Sequence, residues 1–248
     1  MSRKRRAQLR VLVDELARIY PDIKNPHAAI VRGDVLVDGI ARTNPASLVR
    51  HRAAVTLRAE QALRGEAKLR AALEEFRIDV RGRTALDVGA AAGGFTRVLL
   101  AAGAARVYAV DAGHGQLLGS LRQDERVVSL EATNISDLSR ALVPDAIDAV
   151  TVDLSYLPLS EAAPQLEHVG FADNAQVVAL VKPQFELRLP SPPTRAAELE
   201  AAVLSARRGF ETHGWRFGGV IRSPVLGARG TIEFLLYGKR AQRGRRSQ

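Results

Sequence analysis

The chain has no cysteine. That excludes disulfides, thiolate nucleophiles and cysteine-held metal sites, and it fits a reducing compartment. The five histidines stand without ligand spacing, so no metal is expected. No apolar run reaches about 18 residues, the length that reads as a membrane span. The opening MSRKRRAQLRVLVDELARIY is basic, as a signal peptide is, but Arg10, Asp14, Glu15 and Arg18 interrupt its apolar part. The expectation is a cytoplasmic protein without membrane contact. Lysine is scarce as well: Lys4, Lys24, Lys68, Lys182 and Lys239 are the only ones among 36 basic residues. Lys182 closes the apolar stretch of VVALVKPQFE, where a charge is expensive without a partner or a task. Arginine stays protonated in a protein, whereas lysine can give its proton up. A lysine kept at this place in an arginine-rich chain points to chemistry that arginine cannot perform.

The net charge of +9 is not spread evenly over the 248 residues. Residues 1–10 hold Arg3, Lys4, Arg5, Arg6 and Arg10, and residues 239–248 hold Lys239, Arg240, Arg243, Arg245 and Arg246, with no acid in either segment. The remaining body has 26 basic against 27 acidic groups. Two readings stay open: flexible arms that bind phosphate in a salt-sensitive, sequence-blind way, or tails that keep the chain soluble.

Apolar spacing predicts a helix over residues 9–19 and a second, short one in PHAAIVRG, ended by Gly33. DVLVDGIARTNPASLV reads as strand, Asp-Gly turn and strand, and RAAVTL as another strand. This small α+β piece ends at residue 59, and residues 60–80 read as a polar connector passing into a helix. From residue 81 to 240 strands alternate with helical patterns, including ISDLSRAL, before a basic tail at 241–248. The strands are expected at 84–88, 106–110, 126–130, 146–154 and 175–182. Such alternation argues for a mostly parallel, doubly wound sheet. Two last strands, WRFGGVIRS and TIEFLLYGK, are joined by PVLGARG, too short for a parallel crossover, so they pair antiparallel. LPSPPT is a loop. The fold class is α/β, a Rossmann-like, seven-stranded sheet of the methyltransferase kind with a small N-terminal α+β domain.

TALDVGAAAGGFT is a strand, a turn of small residues and a helix start. Gly89, Gly93 and Gly94 let a ligand approach the backbone closely. The G-x-x-x-G-G spacing is neither the dinucleotide fingerprint nor a phosphate loop. With no lysine and few donors, the loop suits a nucleoside without phosphates, such as S-adenosylmethionine; the alternative is a plain strand–helix turn. Asp87 is placed to hold the amino-acid end through a water or amide. Asp111 ends the second strand, where an acid accepts from ribose hydroxyls; it could instead cap a helix. Asn134 is a candidate for the adenine edge, or equally a cap for ISDLSRAL. Taken singly, Asp153 reads as a helix cap, Glu233 as the partner of a surface arginine, Lys68 as a solvated connector lysine and Lys182 as a lysine that reaches out to water.

The ordered motifs LDVGAAAGGFT, VYAVDAGHGQL, EATNISDL, VDLSYLPL, LVKPQFE and GTIEFLL resemble those of the TlyA, or hemolysin-like, family of ribosomal RNA 2′-O-methyltransferases, whose catalytic domain is of the FtsJ type. AAIVRGDVLVDG resembles the helix–hairpin core of an S-four RNA-binding domain. The resemblance implies S-adenosylmethionine as cofactor, held by Asp87, Gly89, Ala90, Gly93, Gly94, Phe95, Asp111, Asn134 and Asp153. It also implies an RNA partner, ribosomal RNA or ribosomal subunits, contacted through Arg3, Lys4, Arg5, Arg6, Arg32 and Arg64. The family's Lys-Asp-Lys-Glu tetrad falls on Lys68, Asp153, Lys182 and Glu233. A lysine acts as base only when neutral, and a neighbouring cation and a dry pocket favour that form. Lys182 would then deprotonate the ribose hydroxyl, Lys68 would be the second cation, and the two acids would hold both amines. The chain departs from the family at LRGE, with Leu63 and Glu66, and at the proline-containing segment after KPQFE. Those departures keep open a protein of this fold that binds RNA or ribosomes without catalysis.

Overall fold

The computed structural model describes residues 9–50, 53–227 and 230–241. The arm residues Arg3, Lys4, Arg5 and Arg6 lie outside them. The chain divides into two compact units between Leu63 and Arg64.

In the first unit, β1 (Leu9–Val11) precedes α1 (Leu12–Ile19) and α2 (Pro26–Val31). The strands β2 (Val35–Val37), β3 (Ile40–Arg42), β4 (Leu48–Arg50) and β5 (Val55–Leu57) follow. The helix expected over 9–19 therefore starts three residues late. Leu9–Val11 pair antiparallel with Leu48–Arg50 instead, and the first free amides of α1, on Leu12 and Val13, are taken by the carbonyls of Ser47 and Pro45. The hairpin forms at Asp38-Gly39, both with positive φ (51° and 84°), as a two-residue hairpin turn demands. Its second strand stops at Arg42, because β4 turns away to β1. β2 is the centre of a three-stranded sheet in the order β3-β2-β5. Leu12, Leu16, Ile30, Val35, Val49 and Val55 fill the core of this unit.

The connector expected at 60–80 is instead a continuous helix, α3 (Arg58–Glu75). Its Leu69 and Ala72 are fully buried in the core of the second unit, and burying that apolar stripe is what keeps the segment helical. The sheet of the second unit runs β11-β12-β10-β9-β6-β7-β8. Its strands are β6 (Thr84–Val88), β7 (Arg106–Asp111), β8 (Val127–Glu131), β9 (Ile147–Val152), β10 (Phe171–Val181), β11 (Trp215–Arg222) and β12 (Phe234–Arg240). Only β12 runs against its neighbours, wedged antiparallel between β10 and β11. The helices are α4 (Gly94–Ala101), α5 (Gly119–Arg122), α6 (Leu159–Gln165), α7 (Pro183–Glu186) and α8 (Ala196–Thr212). Alternation sorts the strand residues onto two faces. Leu86, Val88 and Tyr108 join the core with Phe210 and Trp215; Ala85, Val107 and Tyr237 join that with Leu69, Phe95 and Leu99. ISDLSRAL forms a single 3-10 turn, Ile135–Asp137, rather than a helix. Pro144 lies just beyond it, and burying Ile135, Leu138 and Val143 on the sheet needs no longer helix.

From β6 the chain builds outward through β7 and β8, then returns to the other side of β6 to form β9. The carboxyl ends of β6 and β9 thus flank the switch point, where open sheets of this type bind ligands.

Candidate active site

Gly89 follows β6 with φ +84°, and a Cβ there would press into the backbone of Asp153, whose carbonyl carbon would lie at 2.9 Å. The loop after β6 and the acid after β9 are therefore built against each other, and only glycine permits it. Gly93, with φ +93°, would carry a Cβ 2.8 Å from Leu117 and in collision with Leu121. The loop 112–118 lies over this turn, held by Glu131, which accepts from the amides of Gln116 and, at 2.9 Å, of Leu117. Gly94 and Phe95 begin α4 and are buried, as is Ala90.

Asp87 does not face the cleft. It is fully buried, and its two oxygens accept from the hydroxyls of Thr96 and Thr151, each at 2.7 Å. This corrects the expected hold on the cofactor's amino-acid end: the carboxylate pins α4 and β9 to β6 from beneath. Burial raises its pKa to about 6, against the two threonine hydrogen bonds that lower it, and the charge of Asp153 adds to the rise. Asp111 caps no helix. Its Oδ2 accepts from the Ala91 amide at 2.8 Å and its Oδ1 from the Gly113 amide at 2.7 Å. Each oxygen keeps a second lone pair, and the residue is only half-buried, so it can still accept from a diol. Asn134 stands exposed at the start of the 3-10 turn, its backbone N–H donating to Asp137 Oδ2 at 3.2 Å. No basic side chain stands between Leu86 and Thr96, and Arg97 is turned away to Glu66 at 2.9 Å. The residues present therefore fit a nucleoside without phosphates.

The four tetrad residues come together as two ion pairs. Lys182 Nζ lies 2.5 Å from Asp153 Oδ1 and donates to Ser155 Oγ at 2.6 Å. Lys68 Nζ donates to Glu233 Oε2 at 2.6 Å, both side chains being almost wholly buried. Burial by itself would raise the Asp153 carboxyl; the ammonium groups of Lys182 and Lys68 outweigh it and hold the carboxyl below its usual range. Val181 pairs with Phe234 across β10 and β12, so Lys182 and Glu233, the next residues in that register, bring the two pairs to one place. The bland alternatives fall away. Asp153 caps nothing, since the first amides of α6, on Leu159 and Ser160, go to Glu186 instead. Among the described residues Glu233 pairs with no arginine, and the amines of both lysines end on carboxylates.

Local sequence explains how the pieces arrive. Pro183 opens α7, and the amides of Phe185 and Glu186 return to the Lys182 carbonyl, which fixes the backbone beneath the lysine. Gly65 lets α3 pass close to the turn, where a Cβ would lie 3.2 Å from the Gly94 Cα; Lys68 follows one helical turn later. Glu66, where the chain departs from the family pattern, joins Arg97 of α4 and, at 3.4 Å, Arg70, bracing that approach. Two supporting residues had no signal in the sequence. Glu186 is buried and ties α6 to α8 by also accepting from Ser205 Oγ at 2.8 Å. Gly227 lies against the Glu233 carboxylate. Beyond Lys182 lies a cleft of about 430 Å³ lined by Tyr156, Pro158, Gln184 and Phe185 among others. Of the other expected RNA contacts, Arg32 forms an exposed pair with Asp34 at 2.9 Å in the first unit, and Arg64 is half-buried at the start of the second.

Residues 62–240 match the model of the FtsJ-like methyltransferase family. The chain is 42% identical over 215 residues to the 16S/23S rRNA (cytidine-2′-O)-methyltransferase TlyA of Mycobacterium tuberculosis, covering 83% of this chain and 80% of the relative. A hemolysin-named structure from Streptococcus thermophilus superposes with a TM-score of 0.71 at 30% identity, over 96% of this chain and 90% of that one. A magnesium protoporphyrin IX methyltransferase of Synechocystis, solved with S-adenosylhomocysteine, reaches a TM-score of 0.51 at 15% identity, over 74% of this chain and 86% of that one, and speaks to the fold alone.

Proposed function

The chain belongs to the FtsJ-like methyltransferase family and is a relative of TlyA, and from this we infer that it is an S-adenosylmethionine-dependent RNA 2′-O-methyltransferase acting on ribosomal RNA in the cytoplasm. The observation that carries the reading is the meeting of Lys182–Asp153 and Lys68–Glu233 where β10 and β12 pair, with Asp153 packed against Gly89 of the glycine turn. S-adenosylmethionine, when bound, supplies a methyl group on a sulfonium. Every other requirement falls to the chain.

Asp111 accepts from the ribose of the nucleoside, and the turn at 89–94 gives it a surface free of cations. Lys182 takes the proton of the ribose 2′-hydroxyl, a task for a positioned base. Lys68 adds positive charge nearby, and Glu233 keeps it in place. Asp153 orients Lys182. Much of the acceleration comes from alignment, since holding donor and acceptor in line removes most of the entropic barrier. Tyr156 and Phe185 offer exposed aromatic surface beside the base, on which an unpaired nucleobase can stack. The first unit serves as an S-four-like RNA-binding module, and intact ribosomal subunits are the substrate.

The test is transfer of labelled methyl to total ribosomal RNA and to isolated subunits, with wild type and Lys182→Ala compared. Label with wild type that disappears in the variant is the expected result. Cofactor binding without label on any acceptor would sink the reading and leave a binding protein on a methyltransferase fold.

A further inference from the structure

A neutral primary amine has two N–H bonds and one lone pair, and a base works only if that lone pair meets the proton. Lysine is badly suited to this unaided, because its head group spins freely on a four-carbon stem. Around Lys182 the stem is anchored at its root by the α7 hydrogen bonds to its own carbonyl. At its tip stand two oxygens: Asp153 Oδ1, its ion-pair partner at 2.5 Å, and Ser155 Oγ, which accepts its hydrogen bond at 2.6 Å. Both come from the segment that leaves β9. Leu154 between them turns into the core, so Asp153 and Ser155 are presented together on the opposite side. Ser155 is exposed, and its hydroxyl accepts from Lys182.

We propose that Ser155 is a positioning residue for methyl transfer: with Asp153 it engages both N–H bonds of the neutral Lys182 amine and leaves the lone pair as the one free direction on the nitrogen. The proposal rests on Lys182 being the base. The proton leaves the ribose oxygen for the Lys182 lone pair as the O–CH3 bond forms and the S–CH3 bond breaks. Both electrons of the broken bond stay on sulfur, turning sulfonium into thioether, and Ser155 is unchanged at the end. In the protonated lysine the same two acceptors hold two of three N–H bonds, so the amine returns to one orientation after each turnover.

The experiment is single-turnover methyl transfer to ribosomal subunits by wild type, Ser155→Ala, Ser155→Thr, Lys182→Ala and the double variant Ser155→Ala/Lys182→Ala, with dissociation constants for cofactor and RNA measured alongside. Ser155→Ala is expected to slow transfer by about fivefold, the scale of one hydrogen bond between neutral groups, with both dissociation constants within about twofold of wild type. Ser155→Thr, which keeps the hydroxyl, is expected to restore the rate. In the Lys182→Ala background the serine change is expected to add nothing, because its effect runs through the lysine. Ser155→Ala at the wild-type rate overturns the proposal, as does a loss of cofactor affinity equal to the loss of rate. Lys182→Ala at the wild-type rate overturns the base reading beneath it, whatever the serine variant does.

Discussion

Gly227 and Glu233 share a space that admits no side chain on the first: a Cβ on Gly227 would lie 2.5 Å from the Glu233 carboxyl carbon. The loop before β12 is thus shaped around the acid that holds Lys68. Gly227→Ala must displace either the loop or the carboxylate. Displacing the carboxylate loosens Lys68 and weakens its charge at Asp153. Methyl transfer is expected to fall by about tenfold or more with cofactor affinity unchanged, since a small misplacement of a reacting group is costly. Wild-type turnover by Gly227→Ala would show that Glu233 does not need to stay where it is.

Lys182→Arg separates charge from proton transfer. The guanidinium can still pair with Asp153, but it cannot act as a base near neutral pH. The expected outcome is retained cofactor binding and a rate reduced by about a hundredfold or more, the usual worth of general base catalysis. Calorimetry with S-adenosylmethionine and a methyl-transfer assay on the same preparation check both halves. An active arginine variant would mean that Lys182 only steers the hydroxyl.

What the sequence made legible follows a physical divide. Asp153 and Lys182 could be placed because strand ends in an alternating α/β pattern fall at one rim, and an isolated lysine after an apolar run stands out. The Lys68–Glu233 pair joins residues 165 positions apart; nothing local announces it, and the family resemblance alone brought it forward. Asp87 was misjudged for the opposite reason. Its place at the end of β6 predicts proximity to the ligand, but only the packing of Thr96 and Thr151 decides which way a carboxylate points. ISDLSRAL carried helical spacing, yet a strand-to-strand link that needs only Ile135, Leu138 and Val143 on the core makes one turn suffice. Gly227, Glu186 and Ser155 gain their roles from partners distant in the chain or from the side a loop presents, and neither is a property of spacing.

The Lys68–Glu233 pair also bears on stability. Both side chains are nearly inaccessible to water. Removing one partner strands a buried charge, which costs about 3–5 kcal/mol, whereas replacing both is far milder. Lys68→Met is therefore expected to lower the urea midpoint strongly, and Lys68→Met/Glu233→Gln to recover much of it while staying inactive. A single variant as stable as wild type would show that water reaches the pair.

Asp87 sets a pH dependence of unusual sign. Its pKa is raised from 3.8 to about 6 in the folded protein, first by burial and further by the charge of Asp153, with Thr96 and Thr151 opposing. Between roughly pH 4 and pH 6 the folded state thus holds a proton that the unfolded chain has released, so this group's contribution to stability falls as pH rises across that window. The full change is about 3 kcal/mol, taking roughly 1.4 kcal/mol per pKa unit. Glu15 and Asp79, both lowered to about 2 by arginine hydrogen bonds, act in the opposite direction and mask it in wild type alone. The comparison that isolates it is with Asp87→Asn, which leaves those groups untouched. The advantage of wild type over Asp87→Asn is expected to be larger near pH 4.5 than near pH 7.5 in urea unfolding. An advantage that grows toward neutral pH instead would mean that the two threonine hydroxyls stabilise the carboxylate more than burial opposes it, and Asp87 would then be a charged anchor beneath the turn.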